Sequence, residues 1–196
     1  MSNKTKWMID PIHSEIAFKV RHLMITFVKG EFKEYGASIY TTGNDFLTSE
    51  VDFWVNAASV DTGAADRDTH VRSADFLDVE NHPQINFSGN TYEKVDDDGS
   101  YEMYGDLTIK GITKRIKLDV EFGGVMKDPW GNEKAGFTVN GKIHRGEWDL
   151  NWNAPLDSGG VLVGDDVHIT CEIQLLKSSE DTLTADEVVV IPEQKK

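Results

Sequence analysis

Apolar and polar residues alternate along most of this chain. In residues 16–22, Ile16, Phe18, Val20 and His22 fall on one parity, and the opposite parity carries the charged residues. Successive side chains of a strand point to opposite faces, so this pattern predicts a strand with one apolar and one polar face. Similar segments are residues 30–40, 47–55, 85–92, 103–109, 116–122, 137–143 and 167–175. The chain therefore predicts about eight strands.

Short turn-forming segments separate these strands. Residues 96–100 (DDDGS), 109–114 (IKGITK) and 127–136 (KDPWGNEKAG) are rich in the Gly, Pro, Asn and Asp of hairpin turns. Hairpins join antiparallel strands. About eight such strands close most simply into an up-and-down barrel, because closure removes exposed sheet edges. The predicted fold class is all-β, an antiparallel barrel whose interior holds side chains or one small ligand.

The alternation predicts which side chains face the barrel interior. Apolar inward faces are required of a packed core and of a ligand cavity alike, so the pattern leaves both open. His22 falls on the inward parity, either as a core histidine or as a polar contact inside a cavity. The candidate ligand-binding residues are Phe18, Val20, His22, Phe32, Phe53, Val55, Phe87, Leu107, Ile109, Phe137 and Trp152.

One region, residues 57–79, interrupts the period of two. Residues 64–77, which we call the lid, predict a short amphipathic helix that covers one end of the barrel. This segment is densely charged, and we interpret it as a structural rim network, with two alternatives: it holds a ligand's polar head, or it performs chemistry. The candidate lid or head-group residues are Arg67, Asp68, His70, Arg72 and Asp75, with Arg145 added as a rim cation beside Trp148 and Trp152 or as an ordinary exposed arginine.

Composition and charge exclude several partners. The 196 residues are 39% hydrophobic and 28% charged, with a formal net charge of -14. Such a charge opposes binding to nucleic acid or to an acidic membrane surface. Cys171 is the sole cysteine, residues 1–11 lack an apolar signal region, and no apolar run is long enough to span a membrane. We expect a cytoplasmic protein without stable membrane insertion; whether it forms a homodimer stays open.

Motifs for catalysis or metal binding are weak. The six histidines form no His-x-x-x-His pair, and one cysteine cannot form a thiolate cluster, so we predict neither a metal nor a cofactor. Ser14, His13 and Asp10 could be drawn as a triad, but no Gly-x-Ser-x-Gly motif supports it and the side chains of three neighbouring residues diverge. An enzyme that uses His22, His70 or His13 as a base remains the alternative to a binding protein.

Several motifs resemble the YceI-like family in their order and spacing. The blocks are Trp7-x-Ile9-Asp10-x-x-His13-Ser14, Phe18-x-Val20-x-His22, Val28-x-Gly30-x-Phe32, Arg67-Asp68-x-His70-Val71-Arg72-Ser73-x-Asp75-Phe76, Pro83-x-Ile85-x-Phe87, Gly105-x-Leu107-x-Ile109-x-Gly111-x-Thr113-Lys114, Arg145-x-x-Trp148-x-Leu150-x-Trp152-Asn153 and Gly159-Gly160-Val161-Leu162-Val163-Gly164-Asp165-x-Val167. One departure is visible: the family commonly has glycine after the aromatic residue at Trp148, where this chain has Asp149.

The resemblance implies a lipocalin-like barrel whose long interior binds amphiphiles, notably polyisoprenoids and other long-chain lipids. On this basis we expect residues 1–176 to be a YceI-like domain and residues 177–196 a tail that pairs with a sheet edge or is disordered. The leading hypothesis is a non-enzymatic protein that binds, stores or transports such a lipid. The alternatives are a hydrolase or other enzyme with a histidine base, and a stress-related structural or interaction protein with a filled barrel.

Overall fold

In a computed structural model, the described residues, 4–178 and 189–190, form a closed eight-stranded antiparallel barrel, which confirms the predicted fold class. The strands are β1 (Lys4–Ile9), β2 (Glu15–His22), β3 (Thr26–Phe32), β4 (Glu34–Thr42), β5 (Asp45–Asn56), β6 (Val60–Asp61), β7 (Gln84–Lys94), β8 (Ser100–Ile109), β9 (Ile112–Lys127), β10 (Glu133–His144), β11 (Val163–Lys177) and β12 (Val189–Val190). The helices are α1 (Ala65–Arg72) and three 3₁₀ turns at Pro11–His13, Ala57–Ser59 and Arg145–Trp148.

The barrel closes through β11, which pairs on both of its sides. One edge of β11 pairs with β10. The other edge pairs with β2 along the first part of β11 and with β1 along its last part. Strands β1 and β2 therefore share one position in the barrel. Strands β3 and β4 share the next position, because β3 pairs with β2 and β4 pairs with β1. Strands β5 and β6 share the third, so that the first eleven strands give eight positions, and β12 is added at an edge.

The broken strands differ from the sequence prediction. The single strand expected over residues 30–40 is interrupted at Lys33, where the chain passes from pairing with β2 to pairing with β1. The helix expected over residues 64–77 is shorter and ends at Arg72. The backbone N–H and the hydroxyl of Ser73 both bind the carbonyl of His70 there, which ends the helical pattern. Strand β1 was not predicted at all.

The predicted hairpin turns are confirmed. Lys110 and Gly111 form the two-residue turn between β8 and β9, with φ of 52° and 75°. These left-handed angles fit the twist of a tight hairpin, and glycine adopts them without a steric penalty. In the turn before β10, the Asp128 carboxylate accepts backbone N–H groups from Trp130 and Asn132. The hairpins give the antiparallel order from β7 to β10, and a longer loop leads from β10 to β11.

Four aromatic side chains close one end of the barrel. We call this cluster the aromatic floor; it comprises Trp7, Phe46, Phe122 and Phe137. The ring centroids of Phe46 lie 4.9 Å from Trp7, 5.3 Å from Phe122 and 4.9 Å from Phe137. The Trp7 indole is fully buried and donates a 2.9 Å hydrogen bond to Thr41. The lid lies at the opposite end, between β6 and β7.

The tail contributes a short strand. Val189 and Val190 pair antiparallel with Tyr35 and Glu34 of β4. Of the two outcomes expected for the tail, the described part therefore shows pairing with a sheet edge.

Candidate ligand-binding site

A large apolar cavity occupies the barrel interior. Its volume is about 640 Å³, which lies within the range of about 300–1,000 Å³ that is common for small-molecule sites. Inward-facing side chains of the barrel strands form its wall. The interior is therefore a cavity and not a fully packed core. The alternation of the sequence had been compatible with both.

All eleven candidate ligand-binding residues line this cavity, His22 and Trp152 among them. The lining is larger than that set, and further members include Ile39, Val51, Met103, Leu118, Val139 and Ile169. Most of these lie on the inward parity of predicted strands, so the alternation already indicated them. Two other lining residues, Ile9 and Ile16, flank the junction of β1 and β2, which the sequence did not reveal.

Inward-facing glycines leave room for two of the lining rings. A Cβ atom at Gly30 would lie 2.4 Å from the ring of Phe18 on the neighbouring strand. A Cβ atom at Gly105 would likewise lie 2.4 Å from the ring of Phe87 and 2.5 Å from the carbonyl of Ser88. The rings thus lie along the barrel wall, over strand positions that carry no side chain. This arrangement keeps aromatic surface on the wall and the centre of the bore empty.

The cavity opens at the end covered by the lid. Among its lining residues, Arg21, Asp66, Arg67 and Asn86 are exposed, and all four lie at this end; we call the three charged ones the mouth. His70, Phe76 and Trp152 pack together beside the mouth. The His70 ring lies 5.1 Å from that of Phe76 and 4.5 Å from that of Trp152. A chain that entered here would pass charged groups first and apolar groups afterwards.

A sequence profile described as the YceI-like domain matches residues 7–175. The chain belongs to the YceI-like family. A UPF0312 protein, SERP2314 of Staphylococcus epidermidis, is 38% identical over 164 residues, covering 83% of this chain and 92% of that protein. The crystal structure of the Campylobacter jejuni YCEI protein is 35% identical, with a TM-score of 0.67 over 81% of this chain and 90% of that one.

A more distant structure shares the YceI-like fold. A polyisoprenoid binding domain from Saccharophagus degradans gives a TM-score of 0.61 over 88% of this chain and 98% of that one. Its sequence identity is 13%, so the likeness concerns the fold alone. Membership of the family, first indicated by the ordered motifs, is confirmed by the matched profile and by the closer relatives.

The charged residues of the lid bind one another and the adjoining loop. Arg67 donates to the hydroxyl and the carbonyl of Thr62, both at 2.7 Å. The buried Asp68 carboxylate accepts the backbone N–H and the hydroxyl of Thr62, at 2.8 and 2.6 Å. Arg72 donates to two backbone carbonyls, those of Ala58 and Val60. These contacts fasten α1 to the segment before it.

Only part of this predicted group touches the cavity. Arg67 and His70 line it, whereas Asp68, Arg72 and Asp75 do not. Asp75 instead binds the His70 ring, with 2.9 Å between Oδ2 and Nε2. The five charged candidates of the lid thus divide into two that a ligand can reach, Arg67 and His70, and three whose contacts lie within the protein.

Arg145 is not the exposed rim cation that the sequence suggested. It is 4% exposed, and its guanidinium donates to the carbonyls of Gly164 and Trp152, each at 2.9 Å, and also to those of Leu150 and Val163. Burial lowers the pKa of Arg145, and Asp165 opposes that change. Although Arg145 borders the cavity, its donors hold together the loops before β11. The interpretation as a free arginine at the rim was wrong.

The groups considered for catalysis are dispersed. His13 lies outside the cavity and binds Asp10, while the Ser14 hydroxyl binds the backbone of Gln174 instead of the histidine. Cys171 lines the cavity, but burial raises the pKa of its thiol to about 12 and so disfavours the reactive thiolate. Within the described residues, no three His, Cys, Asp or Glu side chains are grouped to hold a metal ion.

The described helices are all short. In the part of the chain that the structure describes, none of them has the length and apolar character needed to cross a membrane.

Proposed function

We propose that this YceI-like protein binds one long-chain amphiphilic lipid, a polyisoprenoid or a fatty-acid-like chain, without performing chemistry on it. The observation that carries the proposal is the apolar cavity of about 640 Å³, open at the mouth and closed by the aromatic floor. Each methylene removed from water contributes roughly 0.8 kcal/mol before ordering costs. A chain of about ten carbons can therefore bind tightly without many hydrogen bonds.

The cavity also suggests how such a ligand is oriented. Its charged lining groups lie near the mouth, where Arg67 and His70 can meet a head group, whereas the hydroxyls of Ser49 and Tyr101 line the opposite half. At the other end, Phe46 and Phe137 present only ring carbons to the ligand. We infer that the apolar chain points to the aromatic floor and that the head stays at the mouth. Storage or transport of a water-insoluble lipid would follow from this arrangement.

The name of one structural relative supports the choice of ligand. The Saccharophagus degradans domain is described as polyisoprenoid binding, and it shares the barrel fold. An isoprenoid chain is apolar along its length, as is the wall between Phe18 and Phe87. An enzymatic role is less well supported. The His70–Asp75 pair lies beside the cavity, but among the described residues neither the imidazole nor the carboxylate hydrogen-bonds a serine, threonine or cysteine side chain; only the backbone N–H of Asp75 contacts the Ser73 hydroxyl.

Native mass spectrometry of freshly purified protein, followed by organic extraction, tests the proposal. We expect a bound long-chain lipid, or, after delipidation, saturable binding of an added polyisoprenol. Val139→Trp should lower that binding because residue 139 lines the cavity. Asn140→Trp is the matched control, because Asn140 directly follows Val139 but its side chain is exposed on the outer face. Circular dichroism would verify the fold of both variants. A protein that binds no apolar chain of any length would contradict the proposal.

A further inference from the structure

The hairpin between β2 and β3 exposes three consecutive apolar residues. Leu23, Met24 and Ile25, which we call the apolar tip, are 36%, 52% and 78% exposed. None of the three lines the cavity. Isolated exposed apolar residues are ordinary on protein surfaces, whereas a contiguous group at the end of a projecting hairpin indicates a surface for interaction.

The backbone of this tip is strained. Leu23 and Met24 have φ of 52° and 61°, in the left-handed region that bulky side chains seldom adopt. A turn with two consecutive left-handed residues favours Asn-Gly, and the chain itself uses Lys110-Gly111 at such angles between β8 and β9. The strain is held by hydrogen bonds from Leu23 to the Leu162 carbonyl and from Ile25 to the His22 carbonyl. Leu23 and Met24 thus occupy positions at which the stability of the fold alone would favour residues such as Asn and Gly.

Cations surround the base of the same hairpin. Lys19, Arg21 and Lys29 lie on its outer face, and the amine of Lys19 and the guanidinium of Arg21 lie over the ring of Phe27, at 5.1 and 4.4 Å. Within residues 4–178, no carboxylate forms an ion pair with any of these three cations. The nearby Glu31 carboxylate is already paired, with Lys33.

This local charge opposes the charge of the whole molecule. The Asp166 carboxylate on the adjoining strand β11 is paired with Lys142 and His144 and forms no ion pair with the three cations. A net charge of -14 predicted repulsion from acidic membranes, but that argument treats the charge as uniform. Interactions across more than about 10 Å are screened at moderate salt, so the local patch decides contact with a surface.

The hairpin lies beside the entrance to the cavity. Arg21 belongs to the mouth, His22 lines the cavity immediately before the apolar tip, and Leu162, which anchors the tip, lines it as well. A surface that contacts the tip is therefore adjacent to the opening through which a ligand enters.

We propose that the apolar tip docks reversibly on an anionic lipid bilayer, with Leu23, Met24 and Ile25 in the interface and Lys19, Arg21 and Lys29 against the phosphates. Apolar burial and attraction of basic residues to anionic lipids act together in such contacts. The docking places the mouth at the bilayer, where a lipid can pass between the membrane and the cavity. This last role rests on the proposed function, whereas the docking itself does not.

Flotation with vesicles tests the docking. The delipidated protein should float with phosphatidylglycerol–phosphatidylcholine vesicles and much less with pure phosphatidylcholine vesicles, and added salt should weaken the binding. The triple variant Leu23→Asn, Met24→Gly, Ile25→Ser should bind about tenfold more weakly or worse. It should also melt no lower than the wild type, because Asn-Gly suits the turn. Loss of binding therefore cannot be attributed to unfolding.

Matched controls lie at the other end of the barrel. Trp130→Ser removes an 83% exposed aromatic residue from the β9–β10 hairpin and should leave flotation unchanged. Lys19→Gln with Lys29→Gln should lower binding to anionic vesicles, whereas Lys127→Gln should not.

Equal flotation of the wild type and the triple variant would overturn the proposal. The proposal would also be overturned if the apolar tip joined two copies of the chain. In that case sedimentation would detect a dimer, and the triple variant would abolish the dimer without changing flotation.

The docking and the proposed function can fail separately. Binding of a polyisoprenol in detergent-free solution should be the same for the wild type and the triple variant, because the tip does not line the cavity. Transfer of that ligand to anionic vesicles should be slower for the triple variant. Solution binding without flotation would reject the docking alone, whereas flotation without solution binding would reject the carrier role alone.

Discussion

At the scale of single residues, Arg145 and Asp149 explain one motif of the family. Arg145 binds four backbone carbonyls from inside the protein. Asp149 stands where the family commonly has glycine, and its φ is 57°. Aspartate tolerates this left-handed angle better than most residues, so the departure is accommodated locally. The motif therefore builds the loops between β10 and β11, and the sequence alone could not show that the arginine points inward.

Replacing this arginine should destabilise the fold. Arg145→Met leaves the carbonyls of Leu150, Trp152, Val163 and Gly164 without their donor. When buried groups lose a charged hydrogen-bond partner, the free energy of unfolding falls by about 3 kcal/mol. Urea denaturation measures the change. Arg115→Met is the control, because that side chain is half exposed and lies 3.9 Å from its nearest carboxylate, so its removal should cost about 0.5 kcal/mol or less. Equal costs would show that the buried contacts of Arg145 contribute little.

At the scale of elements, Asp10 joins three strands just after the end of β1. Its Oδ2 atom accepts from the amine of Lys134 in β10 at 3.0 Å, from the amide of Gln174 in β11 at 2.9 Å, and from the ring of His13 at 2.9 Å. Burial alone would raise the pKa of Asp10. These hydrogen bonds outweigh burial and lower the pKa to about 2. The carboxylate thus fixes the corner at which the chain turns from β1 to β2.

This junction should be sensitive to acid. The folded-state pKa lies below the value of about 3.9 for an unfolded aspartate. The contribution of Asp10 is therefore complete above about pH 4 and is lost as the pH falls towards about 2. The difference in the free energy of unfolding between the wild type and Asp10→Asn should be largest near pH 6 and shrink by about pH 3. For the exposed Asp106→Asn the difference should stay small; a constant difference for Asp10→Asn would contradict the assignment.

The sequence predicted the elements better than their interruptions. Alternation located the inward faces of most strands, and Gly, Asn and Asp located the hairpins, because both are local properties. The break at Lys33 depends on which neighbour each half of the strand pairs with, β2 or β1, and no local pattern records that choice. Residues 4–9 were missed for the same reason, since Trp7 is buried by distant rings of the aromatic floor. The apolar tip was visible as Leu23-Met24-Ile25, but its exposure required the turn geometry.

At the scale of the whole molecule, the barrel is a container with one closed end. The aromatic floor closes it at the end where β5 begins, and the lid covers it where β5 ends and β7 begins. The candidate site was largely predictable, because a barrel gathers every inward residue into one interior. What could not be predicted is the empty volume, since it depends on glycines such as Gly30 that let rings lie along the wall.

If the empty bore binds an apolar chain, the affinity must depend on the length of that chain, and a homologous series of ligands measures this dependence. Titration of alcohols, amides and diphosphates of graded chain length should show affinity rising by up to about fourfold per methylene until the cavity is full, and then a plateau. Val139→Trp should bring the plateau to shorter chains, and Asn140→Trp should not. An affinity that does not change with chain length but strongly favours one head group would contradict binding by the bore and would assign recognition to the mouth.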